Sequence, residues 1–199
     1  MKIPLVKSLQ GLVLAGGRST RMGQDKAELI HPDGRSLARR CCDLLHEAGC
    51  ESVVLSLRQD QEIPTGLDEF EIVRDPEGAS HGPMAGIISG MSLHPESDWL
   101  VVACDLPRLD LATLKHLISS KLPEDPFLAY RSESDGLPEP LCALYAATAL
   151  PVLEQALTAD FRCPRKVLIL NECRLLEPVT RRALDNANTP QDWESAQAP

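Results

Sequence analysis

Short apolar runs alternate with amphipathic stretches along most of this chain, and that alternation predicts its elements. Residues 11–15 (GLVLA) form a dense apolar run that ends in two glycines, the pattern of a strand buried on both faces and feeding a loop. Between residues 36 and 48, Leu37, Cys41, Leu44, Leu45 and Ala48 recur with a helical period, and Gly49 supplies a stop. Strands are predicted again at 52–57 (SVVLSL) and, shorter, at 71–73. Pro83–Leu93 reads as a helix whose glycines permit close packing on a sheet. Residues 99–104 (WLVVAC) make another buried strand, 111–118 a helix, and 127–130 and 141–145 further strands. Helices follow at 146–157 and 165–170. Near the end, Asn188-Thr189-Pro190-Gln191-Asp192 carries a helix-start signature with Thr189 as the cap.

Strand–helix alternation of this kind builds a three-layer α/β/α fold of Rossmann-like type, with a mostly parallel central sheet. No internal repeat, low-complexity stretch or linker divides the chain, so residues 1–199 are expected to form one domain. In such sheets ligands lie beyond the carboxyl ends of the strands. The loops leaving Ala15, Leu57, Val73 and Cys104 are therefore where chemistry is expected.

Composition narrows the class of ligand. Lysine and arginine number 20 against 29 aspartates and glutamates, a net charge of −9, which argues against nucleic-acid and acidic-membrane partners. Aromatic residues are only 4%, too few for a base-stacking platform. The seven cysteines show no C-x-x-C spacing and read as free thiols of a reducing compartment. The amino-terminal MKIPLVKSLQGLVLAGG imitates a signal peptide, but Lys7 interrupts its apolar run. No stretch reaches the roughly 18 apolar residues of a membrane span. A cytoplasmic handler of small molecules is the expectation.

The strongest chemical signal is Leu14-Ala15-Gly16-Gly17-Arg18-Ser19-Thr20-Arg21-Met22-Gly23-Gln24-Asp25-Lys26. Glycines directly after a strand let backbone N–H groups approach an anion, because no Cβ intervenes. Arg21 and Lys26 bring two cations within one loop's reach, and Asp25 is placed to brace Lys26 or the loop backbone. An ordinary surface loop with solvated charges is the alternative. The stretch is neither a Walker loop nor G-x-G-x-x-G. The five histidines form no H-x-x-H or H-E-x-x-H pattern, and no G-x-S-x-G elbow occurs.

The same stretch resembles the signature L-A-G-G-x-x-x-R-M-G-x-x-K of nucleoside-triphosphate transferases, in particular the molybdenum cofactor guanylyltransferases. The resemblance continues in order through Asp75-Pro76, Gly82-Pro83-Met84-Ala85-Gly86-Ile87, Cys104-Asp105-Leu106-Pro107, Glu139-Pro140-Leu141-Cys142-Ala143-Leu144-Tyr145 and Asn186-Ala187-Asn188-Thr189-Pro190. It implies a nucleotidyltransferase domain that passes GMP from Mg·GTP to the terminal phosphate of molybdopterin and releases pyrophosphate. It further implies Mg²⁺, or Mn²⁺ in its place, and transient contact with proteins that deliver or accept the cofactor. By that resemblance Leu14, Ala15, Gly16, Gly17, Arg21, Gly23 and Lys26 form the nucleotide-phosphate loop. Arg21, Lys26 and Asp105 are then catalytic, Asp75 and Asp105 are nucleotide-site aspartates, and Asp105 is the metal ligand. The family often has asparagine, in a purine-ribose contact, where this chain has Ser56, and proline where it has Ala103. Gly16 resembles the guanylyl branch; the cytidylyl branch typically carries alanine there, so a missing Cβ would leave room beside the base for a purine. Cytidylyl transfer, transfer to a sugar phosphate, and a silent nucleotide-binding regulator are the competing readings.

Physical chemistry adds to this. A carboxylate directly after the buried run 99–104 offers a hard oxygen where Mg²⁺ would bridge phosphates, although Asp105 could instead cap a helix beginning near Leu109. Asp75 could be a plain turn residue. The acceptor phosphate, with a second pKa of about 6, is already a nucleophile at neutral pH, so no protein base is required. The N-terminal half is expected to hold the nucleotide and the C-terminal half the pterin. There, Arg162, Arg165 and Lys166 form a basic cluster that, as the resemblance implies for this region, suits the pterin phosphate, or simply a solvated helix face. Asn186 and Asn188 could read a pterin edge or form the turn before the last helix.

Overall fold

The computed structural model of the protein describes residues 8–17, 23, 25–75 and 82–197. Seven strands form one sheet: β1 (Leu9–Leu14), β2 (Val53–Leu57), β3 (Glu71–Arg74), β4 (Asp98–Ala103), β5 (Phe127–Arg131), β6 (Pro138–Tyr145) and β7 (Arg174–Leu176). Their order is β3-β2-β1-β4-β6-β5-β7. β6 runs antiparallel to β4 and β5; every other pairing is parallel.

Period-two burial divides the strands between two faces. Val13, Leu55, Leu100 and Val102 face α1 (Leu37–Ala48) and α3 (Leu111–Ser119). Leu12, Val54, Trp99 and Val101 face α2 (Pro83–Leu93), α4 (Leu150–Thr158) and α5 (Pro164–Leu170). The three expected layers follow from that split. The chain runs outward from β1 through α1 to β2 and β3, then α2 returns it across β1 to β4. Strand order thus reverses between β1 and β4, and an open sheet leaves a crevice at the carboxyl ends of such a pair.

Local signals set both ends of α1, of which the Gly49 stop was expected. Ser36 caps α1 by accepting from the Arg39 N–H, and Gly49 ends it at φ 108°, a left-handed conformation that favours glycine. The glycines of α2 let it lie directly on the sheet: a Cβ at Gly86 would stand 2.4 Å from Ser56 Oγ, and one at Gly90 2.8 Å from Leu12 Cδ1.

Three features differ from expectation. Residues 146–157 divide into a 3₁₀ turn (Ala147–Ala149) and α4, because Pro151 suits the first turn of a new helix. β6 begins at Pro138, ahead of the expected 141; β4 accompanies it only from Cys142 onward, so the prolines fall where one edge is open. β7 has only three residues, too few for a period, and pairs with β5 while Arg174 holds Asp125 at 2.6 Å. All seven cysteines are free and five are buried. Burial pushes the Cys41 and Cys50 thiols up to about 12, which leaves them as inert packing groups. Among the described residues no helix is long and apolar enough to cross a membrane.

Candidate functional site

The glycine loop leaves the sheet at the strand-order reversal. Leu14 ends β1 in register with Ser56 on one side and Ala103 on the other. Ala15 is buried and its N–H donates to the Ser56 carbonyl (2.9 Å). From there the loop is held by the segment between β2 and β3. Gln61 Nε2 donates to the Ala15 carbonyl (3.0 Å) and to Asp25 Oδ2 (2.8 Å). Arg58 Nη1 donates to the carbonyls of Gly16 (3.0 Å) and Gly17 (2.9 Å). A Cβ on Gly16 would meet the Arg58 nitrogen at 3.3 Å and the Leu57 carbonyl carbon at 3.6 Å. Glycine at 16 therefore permits backbone to pack on backbone, a reason separate from room beside a base. Gly23 sits at φ 72°, where L side chains are strained. Arg21 lies outside the described residues.

Lys26 opens a 3₁₀ turn (Lys26–Glu28) capped by Asp25, whose Oδ1 accepts from the Ala27 N–H at 3.0 Å. Asp25 thus braces the loop at both of its oxygens. Lys26 Nζ reaches Asp105 Oδ2 (3.1 Å) and Asn188 Oδ1 (2.7 Å) in a partly buried cluster. Asp105 stands two positions beyond the end of β4, and its carbonyl accepts from the Ala187 N–H (2.9 Å), which docks the Asn186–Asn188 stretch onto the site. It does not cap α3. Asp110 does, accepting from the Thr113 N–H at 2.8 Å. Burial opposes the Asp110 charge, yet the hydrogen bonds from Thr113 prevail and lower its carboxyl.

Asp105 Oδ1 is buried and has no hydrogen-bond partner among the described residues. Leaving a buried carboxylate oxygen unmatched costs free energy unless a ligand meets it. A divalent cation meets it well, and Mg²⁺ takes one or two carboxylates while phosphates and water complete its shell. Among the described residues no group of three or more His, Cys, Asp or Glu side chains is gathered as a metal cage. Ser56 is buried, with its Oγ toward Gly86 of α2. Asp75 leaves β3 with its N–H on the Leu57 carbonyl (3.2 Å), partly exposed at the same sheet edge.

Asn188 does form the turn before the last helix, and it adds a contact not weighed for it. Its side chain binds Lys26, while its N–H donates to Asp192 Oδ2 (3.0 Å) in the cap of α6 (Pro190–Gln197), where Thr189 Oγ1 accepts from the Asp192 N–H (3.2 Å). The hydroxyl of Thr189 and the N–H of Asn188 hold the Asp192 carboxyl below its ordinary range. Asn186 lines a cavity of about 380 Å³ with Arg108, Arg131, Glu139, Arg182 and Asp192. The walls carry both signs: Arg131 pairs with Glu177 (2.8 Å) and Arg182 with Asp185 (2.6 Å). Arg162 and Arg165 stand outside this lining. Arg162 pairs with Asp160 (2.7 Å), and Arg165 with Asp135 (2.8 Å) and Glu139 (3.1 Å). Arg165 thus reaches the cavity through a carboxylate. Arg58, Gln61 and the cavity arginines carried no motif; position just beyond β2 was the only available hint for the first two.

Residues 11–175 match the model of a family described as "MobA-like NTP transferase domain". A "Molybdenum cofactor biosynthesis bifunctional protein" from Synechocystis is 36% identical over 93% of this chain, which spans about half (52%) of that relative's length. A "Probable molybdenum cofactor guanylyltransferase" from Nostoc is 33% identical over 94% of this chain and 89% of its own. Among solved structures, "Molybdopterin-guanine dinucleotide biosynthesis protein A" from Archaeoglobus fulgidus superimposes with a TM-score of 0.72 at 25% identity, covering 94% of this chain and 96% of that one.

Proposed function

The chain belongs to the MobA-like NTP transferase family, and from that premise we propose that it transfers GMP from GTP to the terminal phosphate of molybdopterin. One observation carries the reading. At the strand-order reversal a glycine loop adjoins a lysine and a carboxylate with an unmatched buried oxygen, Lys26 and Asp105. Nucleotidyl transfer asks for that combination: amides and a cation to draw charge from the phosphates, and a hard oxygen to hold a metal.

An oxygen of the acceptor phosphate forms the new bond to the α-phosphorus, and the bond to the pyrophosphate oxygen breaks. The glycine-loop amides and Lys26 bind the triphosphate and offset the charge that moves onto the leaving group. Asp105 Oδ1 would hold Mg²⁺, which when bound supplies Lewis-acid neutralisation of the phosphate oxygens. Asn188 keeps Lys26 facing Asp105. The acceptor, already ionised at neutral pH, gives up no proton to the protein. Asn186 and the mixed-charge cavity beside it would seat the pterin, whose ring edge needs both donors and acceptors. Seven free thiols suit a reducing cytoplasm.

The test incubates the protein with Mg²⁺, molybdopterin and each of the four NTPs in turn, and follows product mass and pyrophosphate. A guanine dinucleotide formed with GTP supports the reading. A cytosine product would move the protein to cytidylyl transfer, and no pyrophosphate from any NTP would remove transferase activity altogether.

A further inference from the structure

We infer that Arg58 and Gln61 are positioning residues that aim the backbone amides of the glycine loop at bound phosphate; the inference rests on the transferase reading above. Three consecutive carbonyls are gripped by the segment leaving β2. Gln61 Nε2 takes the Ala15 oxygen (3.0 Å), and one nitrogen, Arg58 Nη1, takes those of Gly16 (3.0 Å) and Gly17 (2.9 Å). In a trans peptide the C=O and the following N–H point in opposite directions. Among the described residues no peptide is cis. The Ala15 and Gly16 carbonyls, turned toward Gln61 and Arg58, therefore turn the Gly16 and Gly17 N–H groups away from them. Successive N–H groups presented on one side make an anion-binding concavity.

The tethers matter because glycine does not hold such an arrangement by itself. Without a Cβ, residues 16 and 17 could sample many backbone conformations, and nothing lies within 4 Å of where a Gly17 Cβ would be. Arg58 and Gln61 remove that freedom before a nucleotide arrives. They are themselves secured: the Arg58 N–H donates to Gln61 Oε1 (3.2 Å), and Arg74 Nη1 donates to both of their carbonyls (2.7 Å each). Gln61 Nε2 also holds Asp25, the cap of the turn that carries Lys26. One buried glutamine thus ties the amide donors to the lysine.

Titration calorimetry with GTP and with inorganic triphosphate, in Mg²⁺, tests this on the wild type, Arg58→Ala and Gln61→Ala, alongside kcat, KM and a thermal melt. Folded Arg58→Ala should lose about 10–100-fold in triphosphate affinity and in kcat, the scale of a small misplacement of binding groups. Added guanidinium should restore part of both, a response that a merely structural arginine would not give. Wild-type triphosphate affinity in folded Arg58→Ala overturns the inference. If Arg58→Ala does not fold, Gln61→Ala decides, with a loss of triphosphate affinity supporting the inference and wild-type affinity overturning it. A wild-type protein that neither binds triphosphate nor releases pyrophosphate refutes the transferase reading, and this inference with it.

Discussion

Placing alanine at Gly86 should lift α2 from the sheet, and the contacts give the scale. The new Cβ would stand 2.4 Å from Ser56 Oγ, 3.0 Å from Leu14 Cδ2 and 3.4 Å from Ser56 Cβ. Leu14 Cδ2 ends a flexible side chain and can turn aside. Ser56 Oγ sits two bonds from its backbone in a residue that is 3% exposed, and the gap is about 1 Å short of ordinary contact. Overpacking of this kind costs about 1–3 kcal/mol. Against it stands the helix preference for alanine over glycine, about 1 kcal/mol. Gly86→Ala alone should therefore be neutral to destabilising by about 2 kcal/mol. Ser56→Ala deletes the offending oxygen and leaves the tolerable 3.4 Å contact with Cβ and the 3.0 Å contact with the yielding Leu14 Cδ2. In that background Gly86→Ala should become stabilising, a coupling of about 1–3 kcal/mol. Urea unfolding of the four proteins in the cycle, followed by circular dichroism, measures it. GTP affinity should track the same cycle, because Leu14 and the start of α2 both border the loop. An identical effect of Gly86→Ala with and without Ser56→Ala would refute the packing argument.

Asp105→Ala should abolish pyrophosphate release while the protein still melts cooperatively; turnover retained at saturating Mg²⁺ would shift the metal role toward Asp75. Lys26→Ala should lower kcat by about 10²–10³, the scale of one preorganised electrostatic group, whereas Asn188→Ala, which removes a partner of that lysine, should cost less. Equal losses in the two variants would make Asn188 more than a support. Asp125 should make stability acid-sensitive, since the Arg174 guanidinium holds its carboxyl below the ordinary range. A depressed carboxyl contributes above its unfolded pKa of about 3.9 and loses that contribution as pH falls through the folded value. Urea midpoints between pH 3 and 6 should therefore decline toward acid in the wild type and flatten in Asp125→Asn.

What the sequence determined by itself is the part governed by near neighbours along the chain. Apolar runs bounded by glycine and proline marked most strands and helices, because burial on a strand repeats every two residues and on a helix about every 3.6. Ser36, Gly49, Asp25 and Thr189 act on amides or carbonyls within four positions, so their capping was open to reading. The loop Leu14–Lys26 was recognisable for the same reason, being one continuous stretch whose glycines and cations need no distant partner to be noticed.

Tertiary structure alone decided what meets that loop. Asn188, read as a pterin contact, lies 162 positions from the lysine it holds, and only the docking of Ala187 on Asp105 brings it there. Arg58 and Gln61 act on carbonyls more than 40 residues away, through a parallel pairing of β1 and β2 that periodicity does not encode. β7 was too short to show a period and exists because β5 offers it an edge and Asp125 an ion pair. Arg162 and Arg165, neighbours in sequence, pair with different carboxylates, while Arg108, Arg131 and Arg182 converge on one cavity. Hydrogen bonds and ion pairs act over a few ångströms of space, and which distant residues share that space is set by strand order and helix packing.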